Sequence, residues 1–247
     1  MAWLLSLIFN LAFAASLLIF HPLLVAAKFA GYETYKSATE ILNGLILSLL
    51  RIVGTRYAIN LSALPEAGSS VIIVSNHQSL FDITLIIWHL RRFHPKFISK
   101  RELGRGIPSV SHAVRNMGSL MIDRSNPREA VELIKGYAVK LSQTCHSPAI
   151  FPEGTRARDG RIKEFKQSGL IALLEGLPQA KVVPLVIDGS WELVRFKYWP
   201  LPLGTRITFK VLPALSREGI SNSELAQQVE QLIGRELTNI RAEAADL

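Results

Sequence analysis

The chain has a single cysteine, Cys145, so no intrachain disulfide can form and stability must come from a packed core. One unpaired thiol also suits a domain facing the cytoplasm. No serine stands in a G-x-S-x-G elbow, and no local signature pairs Cys145 with a histidine, so a covalent acyl-enzyme has no support. Clustered His/Cys sets and repeated carboxylate motifs are missing, and neither metal nor cofactor is expected. The basic residues form no dense run, which makes nucleic acid a poor partner. There is no internal repeat and no low-complexity tract. Finally, Met1 to Ala27 carries no charged residue at all.

What is present starts with that uncharged stretch. As a helix, Met1 to Phe20 would measure about 30 Å, the thickness of a bilayer's hydrocarbon core. A cleavable secretory signal is the rival reading, because AFAAS at Ala12 to Ser16 has small residues; yet no positive n-region precedes it. A second apolar segment follows Lys28 and places Ile41, Leu42, Leu45, Ile46, Leu49, Leu50 and Val53 on one side of a helix. That pattern fits a helix packed on a domain as well as one facing a membrane. The net charge of +8 and the pI near 9.8 point to an anionic partner, and the apolar N-terminus selects the headgroups of an acidic membrane surface. Residues 1–55 are therefore expected to be a hydrophobic two-helix membrane-association segment.

Beyond Arg56 the pattern changes to short β-branched runs alternating with amphipathic segments. VIIVS, KFISK, SLMI, PAIF, KVVPLVI and RITFKVL read as six strands. Pro127 and Glu129 open a helix whose inner side holds Val131, Ile134, Ala138 and Leu141. Ser221 and Glu224 stand in capping-box spacing before a terminal helix with Leu225, Val229, Leu232, Ile233, Leu237 and Ile240 inward. Strands alternating with helices predict an α/β domain over residues 56–247, with a mixed, largely parallel sheet flanked by helices.

In such sheets chemistry collects at the carboxyl ends of strands. NHQSLFD puts His77 two residues past the VIIVS strand and Asp82 five residues further on. On one continuous helix that spacing would turn the side chains about 140° apart, so they meet only if His77 lies in a turn and Asp82 reaches back from the helix. A neutral imidazole steadied by a carboxylate is a general base for a hydroxyl; the alternative is a capping aspartate beside a merely polar histidine. FPEGTR offers Arg156 for bidentate phosphate contact and Gly154 for close backbone approach, against the alternative of a tight turn with a surface Glu153–Arg156 pair. Arg124 precedes the helix beginning at Pro127, and Lys100 ends another strand. Three strand ends presenting Lys100, Arg124 and Arg156 make a shared phosphate site.

NHQSLFD, GSLMIDR, FPEGTR with FKQSG after it, and VVPLVI, in that order from Ser75 to Ile187, resemble the four blocks of the glycerolipid acyltransferases, especially the 1-acylglycerol-3-phosphate (lysophosphatidic acid) acyltransferases. The resemblance implies transfer of a fatty acyl group from a thioester, acyl-CoA or acyl carrier protein, to the sn-2 hydroxyl of lysophosphatidic acid, giving phosphatidic acid. It implies His77 as base and Asp82 as its partner, with Arg124, Glu153, Gly154 and Arg156 holding the phosphorylated acceptor and Lys100 assisting. The apolar N-terminus and the lone thiol lead to the expectation of a membrane-associated protein with its catalytic domain on the cytoplasmic face. Leu120, Leu185 and Ala157 depart mildly from the usual blocks. Glycerol-3-phosphate or another lysolipid as acceptor, and a non-catalytic membrane protein that binds phospholipid, stand as alternatives.

Overall fold

The computed structural model describes residues 1–123, 125–144 and 146–245; Arg124 and Cys145, both singled out above, lie outside the described residues. The chain opens with two helices, α1 (Ala2–Phe29) and α2 (Tyr32–Leu49). It continues through β1 (Arg56–Asn60), β2 (Val71–Ser75), α3 (Phe81–His89), β3 (Pro95–Lys100), α4 (Val110–Asn116) and β4 (Leu120–Ile122). Then come α5 (Pro127–Leu141), β5 (Ser147–Ile150), α6 (Gln167–Gly176), β6 (Lys181–Asp188), β7 (Arg206–Val211) and α7 (Asn222–Ala245).

The strands form one sheet in the order β1-β7-β6-β2-β5-β3-β4. Every neighbouring pair runs parallel except β6 and β7. All six runs read as strands are strands, and the mixed, largely parallel sheet flanked by helices is present. β2 is buried along its whole length, which is why VIIVS has no polar alternation: helices cover both faces of a parallel sheet. Val71 and Ile73 face a core shared with α1, α2 and α3, whereas Ile72 and Val74 face α5, α6 and α7. The seventh strand, β1, escapes the sequence pattern because RYAIN lies at the sheet edge with half-buried residues and polar ends.

Local signals fix the helix ends. Asn126 accepts a hydrogen bond from the Glu129 amide at the start of α5, with Pro127 at the first position. At α7, Ser221 Oγ accepts from the Glu224 amide and the Ser221 amide donates to Glu224, a reciprocal capping box.

The N-terminal segment needs a correction. α1 is the only described helix long and apolar enough to cross a membrane. It lies against the domain through Phe9, Leu17 and Leu24 and leaves most of its apolar surface exposed. α2 does not match it: Leu42, Ile46 and Leu47 are buried in the core, as are Leu50 and Val53 in the turn that follows, while Ile41 is 56% exposed and Leu45 is also exposed. Thus of the expected two-helix anchor, one helix has membrane character and the other is largely a domain helix with an apolar edge.

Candidate active site

β2, β3, β5 and β6 all run in the same direction, so their carboxyl ends open on one edge of the sheet. The turn between β2 and α3 is the centre of that edge. Asn76 anchors it: its carboxamide donates to Ile187 O at 2.7 Å and accepts from Ile187 N at 2.9 Å, which continues the β2–β6 ladder with a side chain. The next residue, His77, is thereby held at the strand end.

Asp82 sits in the first turn of α3, fully buried. Its Oδ2 accepts from His77 Nδ1 at 2.8 Å and from the amides of Gln78 at 2.6 Å and Ser79 at 2.9 Å. Its Oδ1 accepts from Ser190 Oγ at 2.5 Å, from the loop after β6. The turn folds this way because a buried carboxylate must gather donors, and two amides of the turn supply them. A carboxylate can only accept here, so Nδ1 carries a proton, and the neutral ring has its lone pair on Nε2. The ring is further fixed by stacking on Phe151, with centroids 4.0 Å apart. The five-residue spacing thus brings the two side chains together.

Glu153 has a different place from the one read from the sequence. It is 3% exposed, and its two oxygens take the amides of His77 at 2.6 Å and Lys163 at 3.0 Å. Burial pushes its carboxyl up to about 7 against the pull of those amides. Both oxygens being turned to backbone amides, it braces the His77 turn instead of facing an acceptor phosphate. His77 O in turn accepts from the Ala157 amide at 2.7 Å, so the loop after β5 grips the His77 backbone on both sides. Gly154 follows at φ +69°, in the left-handed region that glycine adopts without strain.

No Glu153–Arg156 ion pair forms. Arg156 is half-buried, lies 3.5 Å from the Tyr198 hydroxyl through Nη1, and has no carboxylate partner among the described residues. Lys100 is exposed at the end of β3 and pairs with Glu102 at 3.2 Å. Lys163 donates to Thr155 Oγ1 and Arg156 O, each at 3.0 Å, and lines with Lys166 a cleft of about 500 Å³ beside the loop. Sequence reading missed Lys163, Lys166 and Ser190; the FKQSG block and the residues after VVPLVI were the available signals. Among the described residues no group of three or more His, Cys, Asp or Glu could hold a metal ion.

A further brace comes from α7. Arg241 binds Asp188 through two nitrogens, at 2.7 and 3.0 Å, and donates to Gly160 O at 2.6 Å. Asp188 also accepts from Gln78 Nε2 at 3.0 Å. The C-terminal helix is thus tied to both loops that hold His77.

A family model described as Acyltransferase matches residues 56–188, more than half of the chain. A 1-acyl-sn-glycerol-3-phosphate acyltransferase from Helicobacter pylori is 38% identical over 51% of this chain and 52% of its own length. The enzyme of that name from Limnanthes douglasii is 28% identical over 78% of this chain and 65% of its own. The chain therefore spans about half to two thirds of these relatives. The crystal structure of the 1-acyl-sn-glycerophosphate (LPA) acyltransferase PlsC from Thermotoga maritima superposes with a TM-score of 0.76 at 25% identity, covering 97% of this chain and 95% of that one.

Proposed function

The chain belongs to the acyltransferase family, and we propose that it transfers a fatty acyl group from a thioester, acyl-CoA or acyl carrier protein, to the sn-2 hydroxyl of 1-acylglycerol-3-phosphate. The observation that carries this reading is the 2.8 Å bond between His77 Nδ1 and the buried Asp82, with the guanidinium of Arg156, which has no carboxylate partner among the described residues, on the loop that grips the His77 backbone. His77 Nε2 takes the acceptor's hydroxyl proton as that oxygen attacks the thioester carbonyl. Asp82 stabilises the imidazolium that forms. Collapse of the tetrahedral intermediate breaks the carbon–sulfur bond, and the imidazolium returns the proton to the thiolate, so ester and free thiol leave and the base is restored.

Arg156 binds the acceptor phosphate, with Arg124 as a second cation and Gly154 allowing close approach; Lys100 assists from the neighbouring strand end. Glu153, Asn76 and Ser190 are positioning residues that hold the His77–Asp82 pair. The acceptor lives in a bilayer, and the apolar α1 with the basic surface brings the site to it, the catalytic domain facing the cytoplasm. The names of the two relatives and of the superposed enzyme support this acceptor.

The test is an acceptor panel. Purified protein is given 1-acylglycerol-3-phosphate, glycerol-3-phosphate or a lysolipid without a phosphate monoester, each with acyl-CoA or acyl carrier protein, and thiol release is followed. Phosphatidic acid should form fastest from the first. Acylation of the third alone refutes the phosphate-binding assignment. His77→Ala should abolish turnover while vesicle binding persists; full activity in that variant refutes the base.

A further inference from the structure

The loop of residues 191–204 joins β6 to β7 at the same sheet edge as His77 and exposes apolar surface of its own. Phe196 is 50% and Trp199 43% exposed, with Leu203 exposed beyond them. This is not an isolated patch. Trp199 meets Trp3 of α1 edge to face at 5.4 Å, Asn10 Nδ2 donates to Tyr198 O, and the Leu201 amide donates to Ser6 Oγ at 2.9 Å. Two segments nearly two hundred residues apart therefore form one apolar surface, continued along α1 by the exposed Leu4, Leu7 and Leu11. A contiguous patch of this kind on a protein surface marks a contact with an apolar partner.

Charge identifies the partner. From Leu193 to Arg217 the chain has no acid, and Arg195 and Lys197, which flank Phe196, are exposed with no ion pair among the described residues. The nearest acid in sequence, Glu192, is half-buried at the loop's start. The Arg195 guanidinium lies over the Phe196 ring, 5.4 Å from its centroid, and an aromatic ring between two exposed cations suits the boundary between acyl chains and anionic headgroups. The loop also reaches the site, because the Tyr198 hydroxyl lies beside Arg156 Nη1.

We infer that the loop of residues 191–204 is a second membrane-docking element, in which Phe196 and Trp199 enter the interface of an anionic bilayer, Arg195 and Lys197 meet its headgroups, and Tyr198 sets Arg156 at headgroup height. The last step rests on the proposed role of Arg156 toward a bilayer acceptor; the docking itself does not.

The full chain in a Cys145→Ser background, which leaves no other thiol, is labelled with an environment-sensitive fluorophore at Phe196→Cys, at Leu11→Cys on α1, or at Ser223→Cys on α7. Vesicles are phosphatidylcholine alone or mixed equally with phosphatidylglycerol. The labels at 196 and 11 should brighten and shift to the blue, more strongly on the anionic vesicles, with 223 unchanged. A silent label at 196 beside a responsive label at 11 overturns the inference and leaves α1 as the anchor. A shift at 196 on raising protein concentration without vesicles also overturns it, in favour of a second copy of the chain.

For function, Phe196→Ser combined with Trp199→Ser should slow acylation of vesicle-borne acceptor at least about tenfold relative to a short-chain acceptor dissolved as monomers. Equal loss on both acceptors refutes the coupling to Arg156. If the unsubstituted protein acylates neither acceptor, the proposed function fails, and the fluorophore result still decides the docking.

Discussion

Replacing Asp82 by asparagine separates the charge of this residue from its hydrogen bonds. An amide oxygen in the place of Oδ2 still accepts from His77 Nδ1 and from the Gln78 and Ser79 amides, so the tautomer and the turn survive. The amide nitrogen replaces Oδ1, and the Ser190 hydroxyl, now 2.5 Å from Oδ1, can rotate to accept from it. The folding cost is about 1–2 kcal/mol, the value of weakening a hydrogen bond to a charged group. What disappears is the anion beside the imidazolium. With charge centres about 4 Å apart and an effective dielectric near 20, that attraction amounts to about 4 kcal/mol. Partial solvent screening at the half-buried His77 reduces it, so kcat should fall about 10²–10³-fold. The assay is thiol release at saturating acceptor, with the circular-dichroism melting curve as the folding control. A loss of less than tenfold in a folded protein refutes the role of Asp82 as electrostatic partner, and so does a fall in activity that only tracks the loss of fold.

Three other perturbations test the surrounding residues. Glu153 holds its proton to about pH 7 in the fold against about 4.5 unfolded, so the folded chain binds more protons between those values and loses stability as pH rises through them. Glu153→Gln should flatten the decline of Tm between pH 5 and 8, removing on the order of 3 kcal/mol of pH-dependent free energy; an unchanged slope refutes the assignment. Arg156→Ala should raise KM for 1-acylglycerol-3-phosphate about 10²-fold, the worth of a charge-assisted contact, yet change KM little for an acceptor lacking the phosphate; equal changes in both count against phosphate binding. Arg241→Met frees Asp188 and Gly160 and should lower kcat several-fold at unchanged acceptor KM, with Arg241→Lys restoring part; no change in kcat shows that α7 does not position the site.

The sequence by itself determined what depends on neighbours along the chain. VIIVS and KVVPLVI are strands because an apolar β-branched run is what a strand buried on both faces requires. α5 and α7 begin where Asn126 and Ser221 cap free amides, and α1 owes its exposed apolar surface to a stretch without charge. The approach of His77 to Asp82 belongs here in part, since a strand end followed by a helix start lets five residues fold back on themselves.

The tertiary structure decided whatever joins distant segments. β1 is a strand only because β7, about 150 residues later, pairs with it in register from Arg56↔Arg206 onward. Glu153 looks in sequence like one charge of a surface pair; it becomes a brace because the β2–β5 pairing sets its carboxylate against the His77 amide, 76 residues away. Ser190 and Arg241 reach Asp82 and Asp188 from separations of 108 and 53 residues. Periodicity and capping report torsions and contacts within a few residues, whereas a buried carboxylate is satisfied by whichever donor the packed sheet brings to it, and only the closed fold specifies that donor.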